Sequence, residues 1–351
     1  MKKNAFLFSL ALLFAGCEYE AGQTVTYSTN EPVFMPAAEF RNSVTVTNNA
    51  HELGNYGKIC FYEGYLYISE PGKGIHIINN TNPSQPRITG YIELLGNFDL
   101  TARNGVLYAD AFVDLVWFDI SDPSGPQLKG RLENVFPEVL PAIENEYGYD
   151  YSLCYPNGEK SNDIIVGWEL KQHTENYKGH YEWWWNNEEK SAMMSDAGNT
   201  GNGATGSMSR FGLYENYLYT VINNQMNIFD LSGNIPQKAG ESLYIGNNVE
   251  TIFNYTDKMF LGTPTGLMIY SLEDPLCPLY RSNVWHIYGC DPVVVEDDLA
   301  YVTIHSGNFC GQENNELFIM DVSNVDKPKQ LASYTMKNPR GLGIEEGTLF
   351  L

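Results

Sequence analysis

Positive charge is scarce in this 351-residue chain: 21 lysines and arginines stand against 43 aspartates and glutamates, a formal net charge of −22. Such a surface repels a phosphate backbone, which excludes nucleic acid as a partner. Long apolar runs are also missing. Beyond the N-terminus no segment reaches the ~18 uninterrupted apolar residues of a membrane helix. The chain has six cysteines but no C-x-x-C pair, so a zinc knuckle is not expected. Its six histidines show no H-E-x-x-H or H-x-H spacing, and His173 and His180 read as solvated side chains rather than ligands. There is no G-x-S-x-G elbow. The Gly-rich stretch from Asp196 to Ser207 is followed by no lysine and opens no helical pattern, so it is not a phosphate loop. No metal and no cofactor is expected. What is plentiful is glycine (32), tyrosine (24) and phenylalanine (17). That is the composition of many short strands joined by tight turns.

The N-terminus reads as an address. Met1-Lys2-Lys3 is basic, and an apolar run from Ala5 to Ala15 follows, too short to span a bilayer and suited to a signal peptide. It ends in Phe14-Ala15-Gly16-Cys17, which resembles a bacterial lipobox, with Phe14 where leucine is usual. The resemblance implies that residues 1–16 are removed and Cys17 carries a lipid. The partner is then a membrane, and the place the cell envelope, as an outer-membrane lipoprotein. Glu18-Tyr19-Glu20 resembles the surface-export signal of Bacteroidetes lipoproteins, and which membrane face it occupies stays open. Losing Lys2 and Lys3 leaves the exported chain at −24. Residues 17–42, polar and without a clear period, read as a tether.

The rest of the chain repeats. Leu66-Tyr67-Ile68 recurs as Leu107-Tyr108-Ala109, Leu218-Tyr219-Thr220, Met259-Phe260-Leu261, Ala300-Tyr301-Val302 and Leu349-Phe350-Leu351. The aromatic spacings are 41, 111, 41, 41 and 49, so one long insertion, residues 137–207, interrupts a period of 41. Eight positions before each aromatic stands an apolar residue: Ile59, Leu100, Phe211, Ile252, Val293 and Leu342. A second strand and a turn complete each unit, as in Val116-Trp117-Phe118-Asp119-Ile120-Ser121-Asp122-Pro123. Alternating apolar residues make a half-buried strand, Asp and Ser bond the local backbone, and Pro sets the bend. A fourth strand follows, as in Arg87 to Ile92.

Four short antiparallel strands in 41 residues describe a β-propeller blade rather than a coil of a β-helix. An immunoglobulin-like array needs ~100 residues per unit. The pattern resembles the LVIVD repeat of bacterial surface proteins over roughly residues 55–351, and the chain is identified as similar to LVIVD-repeat propeller lipoproteins of Bacteroidetes type. The expected fold is therefore all-β, a propeller over residues 43–351 with the insertion between blades 2 and 3. Five units carry the turn, and a sixth begins at Pro339 and stops at Leu351. Either the chain is a fragment, or an early strand such as Ser43 to Thr47 closes the ring. Within the insertion, Ile164 to Leu170 reads as a strand that extends blade 2.

Candidate sites follow from the repeat. The first residues of the innermost strands, Lys58, Asp99, Arg210, Glu250, Asp291 and Arg340, are expected to line the mouth of the central channel. There they either bind a ligand or neutralise one another. Trp183, Trp184 and Trp185 in the insertion either stack on a ligand at that mouth or pack against the propeller. Cys290 and Cys310 fall in loops on one face and form a candidate disulfide, with free buried thiols as the alternative. Two functions remain. The first is a non-catalytic, envelope-anchored propeller that binds a glycan or a peptide. The second is an exported glycan hydrolase or lyase using Asp99, Glu250 or Asp291 as acid and base.

If Cys17 carries the lipid, Cys17→Ser moves the protein from the membrane to the soluble fraction. A mutant that still sediments with membranes removes the lipobox reading.

Overall fold

The computed structural model describes residues 24–49, 51–136, 139–143, 145–156, 161–176, 210–222, 224–246, 249, 251–263, 266–285, 292–304, 315–337, 339 and 341–351. Cys17, Trp183, Trp184, Trp185, Glu250, Cys290, Asp291, Cys310 and Arg340 lie outside them. Among the described residues the chain is almost wholly β. Its two helices, Ala37–Asn42 and Tyr151–Cys154, are short, and none is long and apolar enough to cross a membrane.

The 41-residue unit is a four-stranded antiparallel sheet. Blade 1 comprises Ile59–Tyr62, Tyr65–Glu70, Gly74–Asn79 and Arg87–Glu93. Blade 2 comprises Leu100–Arg103, Val106–Ala111, Asp114–Asp119 and Gln127–Leu132. Blade 3 resumes after the insertion with Phe211–Tyr214, Tyr217–Ile222 and Gln225–Asp230, and two fragments, Gln237–Lys238 and Leu243–Tyr244, share its outer edge. Blade 4 is Thr251–Tyr255, Lys258–Thr263, Gly266–Ser271 and Leu279–Trp285. Blade 5 is Val293–Glu296, Leu299–Ile304, Glu316–Asp321 and Lys329–Thr335. A sixth unit contributes Gly343–Glu345 and Thr348–Phe350. The first strands of units 1 to 6 touch one another in series, so they form the inner wall of a β-propeller.

The apolar positions explain this arrangement. Tyr67, Ile75, Ile77, Leu107, Val116 and Phe118 form one core between blades 1 and 2. Tyr108, Trp117, Leu218 and Phe229 form another between blades 2 and 3. Further cores lie between blades 3 and 4 and between blades 4 and 5. A single blade cannot cover both of its faces, so each neighbour does so.

The recurrent tyrosine and the turn are joined across these cores. The Tyr67 hydroxyl of blade 1 donates to the Pro123 carbonyl of blade 2 at 2.8 Å, and Tyr219 of blade 3 donates to Pro275 of blade 4 at 2.7 Å. The acceptor turn is shaped by the expected side-chain bonds: Asp119 Oδ1 accepts from Ser121 N at 2.9 Å, and Asp321 Oδ1 from Ser323 N at 3.0 Å. In blades 1, 2 and 6 an x-Gly pair joins the first two strands, with Glu63, Asn104 and Glu346 at φ of 45°, 51° and 48°, the geometry of a tight hairpin.

Three expectations require correction. Residues 17–42 do not read through as a tether, because Thr24–Met35 is a twelve-residue strand and Ala37–Asn42 is a helix. Ile164–Asn176 does not extend blade 2. It pairs antiparallel with Thr24–Met35 in a separate two-stranded ribbon, from Thr24↔Asn176 to Met35↔Ile164. The threonine-rich sequence that looked like a linker is β-branched and suits a two-sided ribbon. Thr45–Thr47 pairs with the fourth strand of blade 1, Thr45↔Glu93, on the outside of the blade and away from the inner wall.

The hydroxyl of Tyr67 can be removed without removing its ring. Tyr67→Phe should cost about 1 kcal/mol and lower the melting temperature by roughly 2 °C. Tyr108→Phe, whose hydroxyl has no hydrogen-bond partner among the described residues, should leave it unchanged. Calorimetry of both variants checks this, and equal melting of the two would remove the role assigned to the Tyr67 contact.

Candidate functional site

The site lies at the end where innermost strands begin. Strand pairing defines its positions. Lys58, Asp99 and Arg210 each precede an innermost strand, and their carbonyls accept from Ser69 N, Asp110 N and Val221 N on the second strand. Pro292 occupies the same position in blade 5, accepting from Thr303 N. In blade 4 the position falls to Thr251, which faces Gly262. Glu250 and Asp291, outside the described residues, therefore stand one residue earlier in the sequence than the equivalents of Lys58, Asp99 and Arg210.

The structure brings Asp99 and Arg210 together, but not as a solvent-facing pair. Asp99 is 1% exposed. Its Oδ1 accepts from Leu100 N at 2.7 Å, and its Oδ2 accepts from Phe211 N at 3.0 Å and from Arg210 N. The expected mouth carboxylate is thus a staple. It ties the entry of blade 3 to the entry of blade 2, across the point where the insertion leaves and returns. Burial pushes its carboxyl up from the usual range, opposed by the charge of Lys58 and by the amides of Arg210 and Leu100. Lys58 and Arg210 remain partly exposed.

A second carboxylate sits behind the first. Asp110 Oδ1 accepts from Phe98 N at 2.7 Å, Asp99 N at 2.9 Å and Asn97 Nδ2 at 3.1 Å. Burial pushes its carboxyl up to about 7; the amides of Asp99 and Phe98 oppose the shift and the Asp99 charge adds to it. The sequence marked Asp110 only as the residue after the repeat alanine, and no spacing rule reveals a carboxylate that faces backbone amides.

Blade 1 carries a polar cluster at the same end that sequence reasoning missed. His76, fully buried, has Nε2 3.1 Å from Glu70 Oε2. The Tyr91 hydroxyl donates to the same oxygen at 3.3 Å, and Lys73 Nζ reaches Glu70 Oε1 at 3.2 Å. The Tyr91 ring lies between the rings of His51 and His76, at 4.7 and 4.8 Å. Burial pushes the Glu70 carboxyl up, and Lys73 and His76 outweigh it, so it sits below the usual range. The members are 70, 76 and 91 in number and only the hairpin register joins them: His76 faces Tyr91, and Glu70 faces Gly74.

Elsewhere, His173 stacks on Tyr27 at 5.5 Å and lies 3.1 Å from Glu31 in the ribbon. Of the described cysteines, Cys60 is half-buried in an innermost strand, Cys154 is buried and Cys277 is exposed in the turn of blade 4, all as free thiols. Burial pushes both the Cys60 and Cys154 thiols up to about 11, which leaves them poor nucleophiles at neutral pH.

The LVIVD repeat matches residues 54–93, 108–134 and 291–336, which hold blade 1, most of blade 2 and blade 5. No curated protein matches the chain in sequence. Similar solved structures include the computationally designed Ika8 protein, at 7% identity and a TM-score of 0.43, covering 84% of this chain and 69% of that one. Hsv2 of Kluyvelomyces marxianus is 8% identical at a TM-score of 0.39, with 81% and 62% covered. A chain of a mitotic checkpoint complex is 9% identical at a TM-score of 0.46, with 97% and 92% covered.

The Asp110 carboxyl gives a pH signature. Its folded pKa is above its ordinary value, so the folded state holds a proton that the unfolded chain releases. The stabilisation is complete below about pH 4 and is lost as pH rises through about 7. Asp110→Asn keeps an oxygen for the three donors and cannot ionise. Its melting temperature should match wild type near pH 4 and exceed it at pH 8, by on the order of 1–4 kcal/mol of stability. Parallel melting curves across that range would remove the assignment.

Proposed function

We propose that the chain is an envelope-anchored lipoprotein whose propeller binds a glycan or peptide ligand without turning it over. The carrying observation is Asp99. The carboxylate best placed to act as acid or base has both oxygens committed to backbone amides, so its role is to hold blade 3 against blade 2. A repeat propeller with a broad end face is suited to binding. Anchoring rests on Cys17 and the sixteen residues before it. Ligand contact is assigned to the end where Lys58 and Arg210 remain partly exposed, and Trp183, Trp184 and Trp185, outside the described residues, are assigned to it on the sequence alone.

Deletion of residues 180–205 tests this on a glycan and peptide array, with product release followed for each ligand found. Binding should disappear in the deletion while the melting temperature holds, and no ligand should be cleaved by wild type. Cleavage would favour a hydrolase or lyase. Unchanged binding would move the ligand away from the insertion, and loss of folding would make the tryptophans packing residues.

A further inference from the structure

The interface between blades 2 and 3 differs from its neighbours at the opposite end of the molecule. Between blades 1 and 2 and between blades 4 and 5 two contacts close the gap, and between blades 3 and 4 one of them does. One uses the last residue of the innermost strand. Tyr62 accepts from Gly105 N of blade 2 at 2.7 Å, and Tyr255 accepts from Asp297 N of blade 5 at 2.9 Å. In blade 2 this position, paired with Val106 as Tyr62 is with Tyr65, is Arg103. The other contact ends on a turn carbonyl: Tyr67 on Pro123, Tyr219 on Pro275, and Ser282 on Val325.

Blade 3 has no such carbonyl in place. Its turn runs Asp230-Leu-Ser-Gly-Asn-Ile-Pro-Gln237, one residue shorter than Asp119 to Gln127 in blade 2 or Ser271 to Leu279 in blade 4. The Asp-Pro pair of those turns is missing, and Gly233-Asn234 stands there instead. Tyr108, the equivalent of Tyr67 and Tyr219, has no hydrogen-bond partner among the described residues. Arg103 likewise makes no ion pair among them.

Among the described residues both stitches are therefore missing at this interface, and a cavity of about 490 Å³ occupies the gap. Arg103, Tyr108, Trp117, Lys129, Asn216 and Asn234 line it. Lys129 is held by Asp119 at 3.1 Å, so among the described residues that line the cavity Arg103 is the cation left to meet an anion. Trp117 is seated firmly as an apolar wall. A Cβ at Gly130 would lie 2.2 Å from its ring, so only glycine lets the ring pack there. The volume falls within the range of small-ligand sites, roughly 300–1,000 Å³.

We propose that this cleft is a binding site for a small acidic sugar, a hexuronate or a short oligomer of one. Arg103 takes the carboxylate, for which its planar fork is fitted. Tyr108 and the Asn216 and Asn234 amides take hydroxyls, and Trp117 lies against the apolar side of the sugar ring. Asp119 also lines the cavity, but its charge is met by Lys129, so Arg103, which makes no ion pair among the described residues, is the place in this strongly acidic chain where an anion is tolerated. The inference names a ligand class for a binding propeller, at the end opposite the mouth, and does not depend on the tryptophan run.

Calorimetric titration of the full chain in detergent tests it, with galacturonate and digalacturonate as probes and galactose, acetate and phosphate as controls. The uronates should bind at least about tenfold more tightly than galactose, and acetate and phosphate should bind more weakly than either uronate. Arg103→Tyr installs the residue found in blades 1, 3 and 4. It should abolish uronate binding and leave the melting temperature equal or higher. Tyr108→Phe, with melting unchanged, should weaken binding by roughly three- to tenfold. Equal affinity for galactose, equal affinity for acetate or phosphate, or full uronate binding by Arg103→Tyr would each overturn the assignment, as would no uronate binding at millimolar concentration. Uronate binding retained by Arg103→Tyr but lost on deletion of residues 180–205 would overturn this site while leaving the proposed function standing.

Discussion

Every blade in this protein has two faces and only a few residues per strand, and neither face is covered from within. The cores lie between blades, so a blade is stable only when its neighbours are in place. The tyrosine-to-turn hydrogen bonds matter for that reason. Each sets the angle between two sheets that are otherwise held by non-directional apolar contact. Where the chain keeps the bond, the donor tyrosine is fully buried, as at Tyr67 and Tyr219. Where the acceptor turn is shortened, the gap between blades 2 and 3 stays open.

That same interface must absorb the interruption of the repeat. The insertion leaves after blade 2 and blade 3 restarts at Arg210, so no short covalent link holds the two innermost strands together. Asp99 supplies a substitute. Its carboxylate reaches 111 and 112 residues along the chain to the Arg210 and Phe211 amides. The N-terminal segment reinforces blade 2 from outside. Asp114, fully buried, is held by Arg131 at 2.9 Å and by Arg41 of the Ala37–Asn42 helix at 3.0 Å, and the Arg131 guanidinium lies 5.3 Å over the Phe40 ring. Removing either arginine would leave a buried charge short of a partner, the costly case for an ion cluster.

Much of the fold could be read from the residues because its determinants are local and periodic. Alternation marks the strands, Asp-x-Ser and Pro mark the turns, and a period of 41 marks the blades. What could not be read is non-local. Thr24–Met35 alternates only briefly, at Val25 and Tyr27, before the polar run Ser28 to Glu31, so it looked like linker. It becomes a strand only because Ile164–Asn176 offers an edge 140 residues away. The innermost-strand positions were legible to within one residue: Lys58, Asp99 and Arg210 share a position, while in blades 4 and 5 that position belongs to Thr251 and Pro292. The burial of Asp99 was not legible, since an aspartate at a strand entry reads alike whether it meets water or backbone amides. Nor was the cluster of Glu70, His76 and Tyr91, whose members meet only through hairpin register.

The acidity of the chain divides into populations of opposite sign. Asp119, Asp122, Asp230 and Asp321 stand in turns and accept from serine hydroxyls and amides, which holds their carboxyls below the usual range, Asp119 at about 2. Their contribution is present above the ordinary carboxyl pKa and fades as pH falls through the lowered one. Asp99 and Asp110 are pushed the other way by burial, and they favour the folded state most when protonated. Acid therefore weakens the turns while it relieves the staple between blades 2 and 3. Such aspartates stand in the turns of blades 2, 3 and 5, while Asn79 and Ser271 take the place in blades 1 and 4, and the staple occurs once. Acidification should on this account loosen the blade edges before it loosens the inner wall at the insertion, which places the most acid-resistant contact at the point where the covalent repeat is broken.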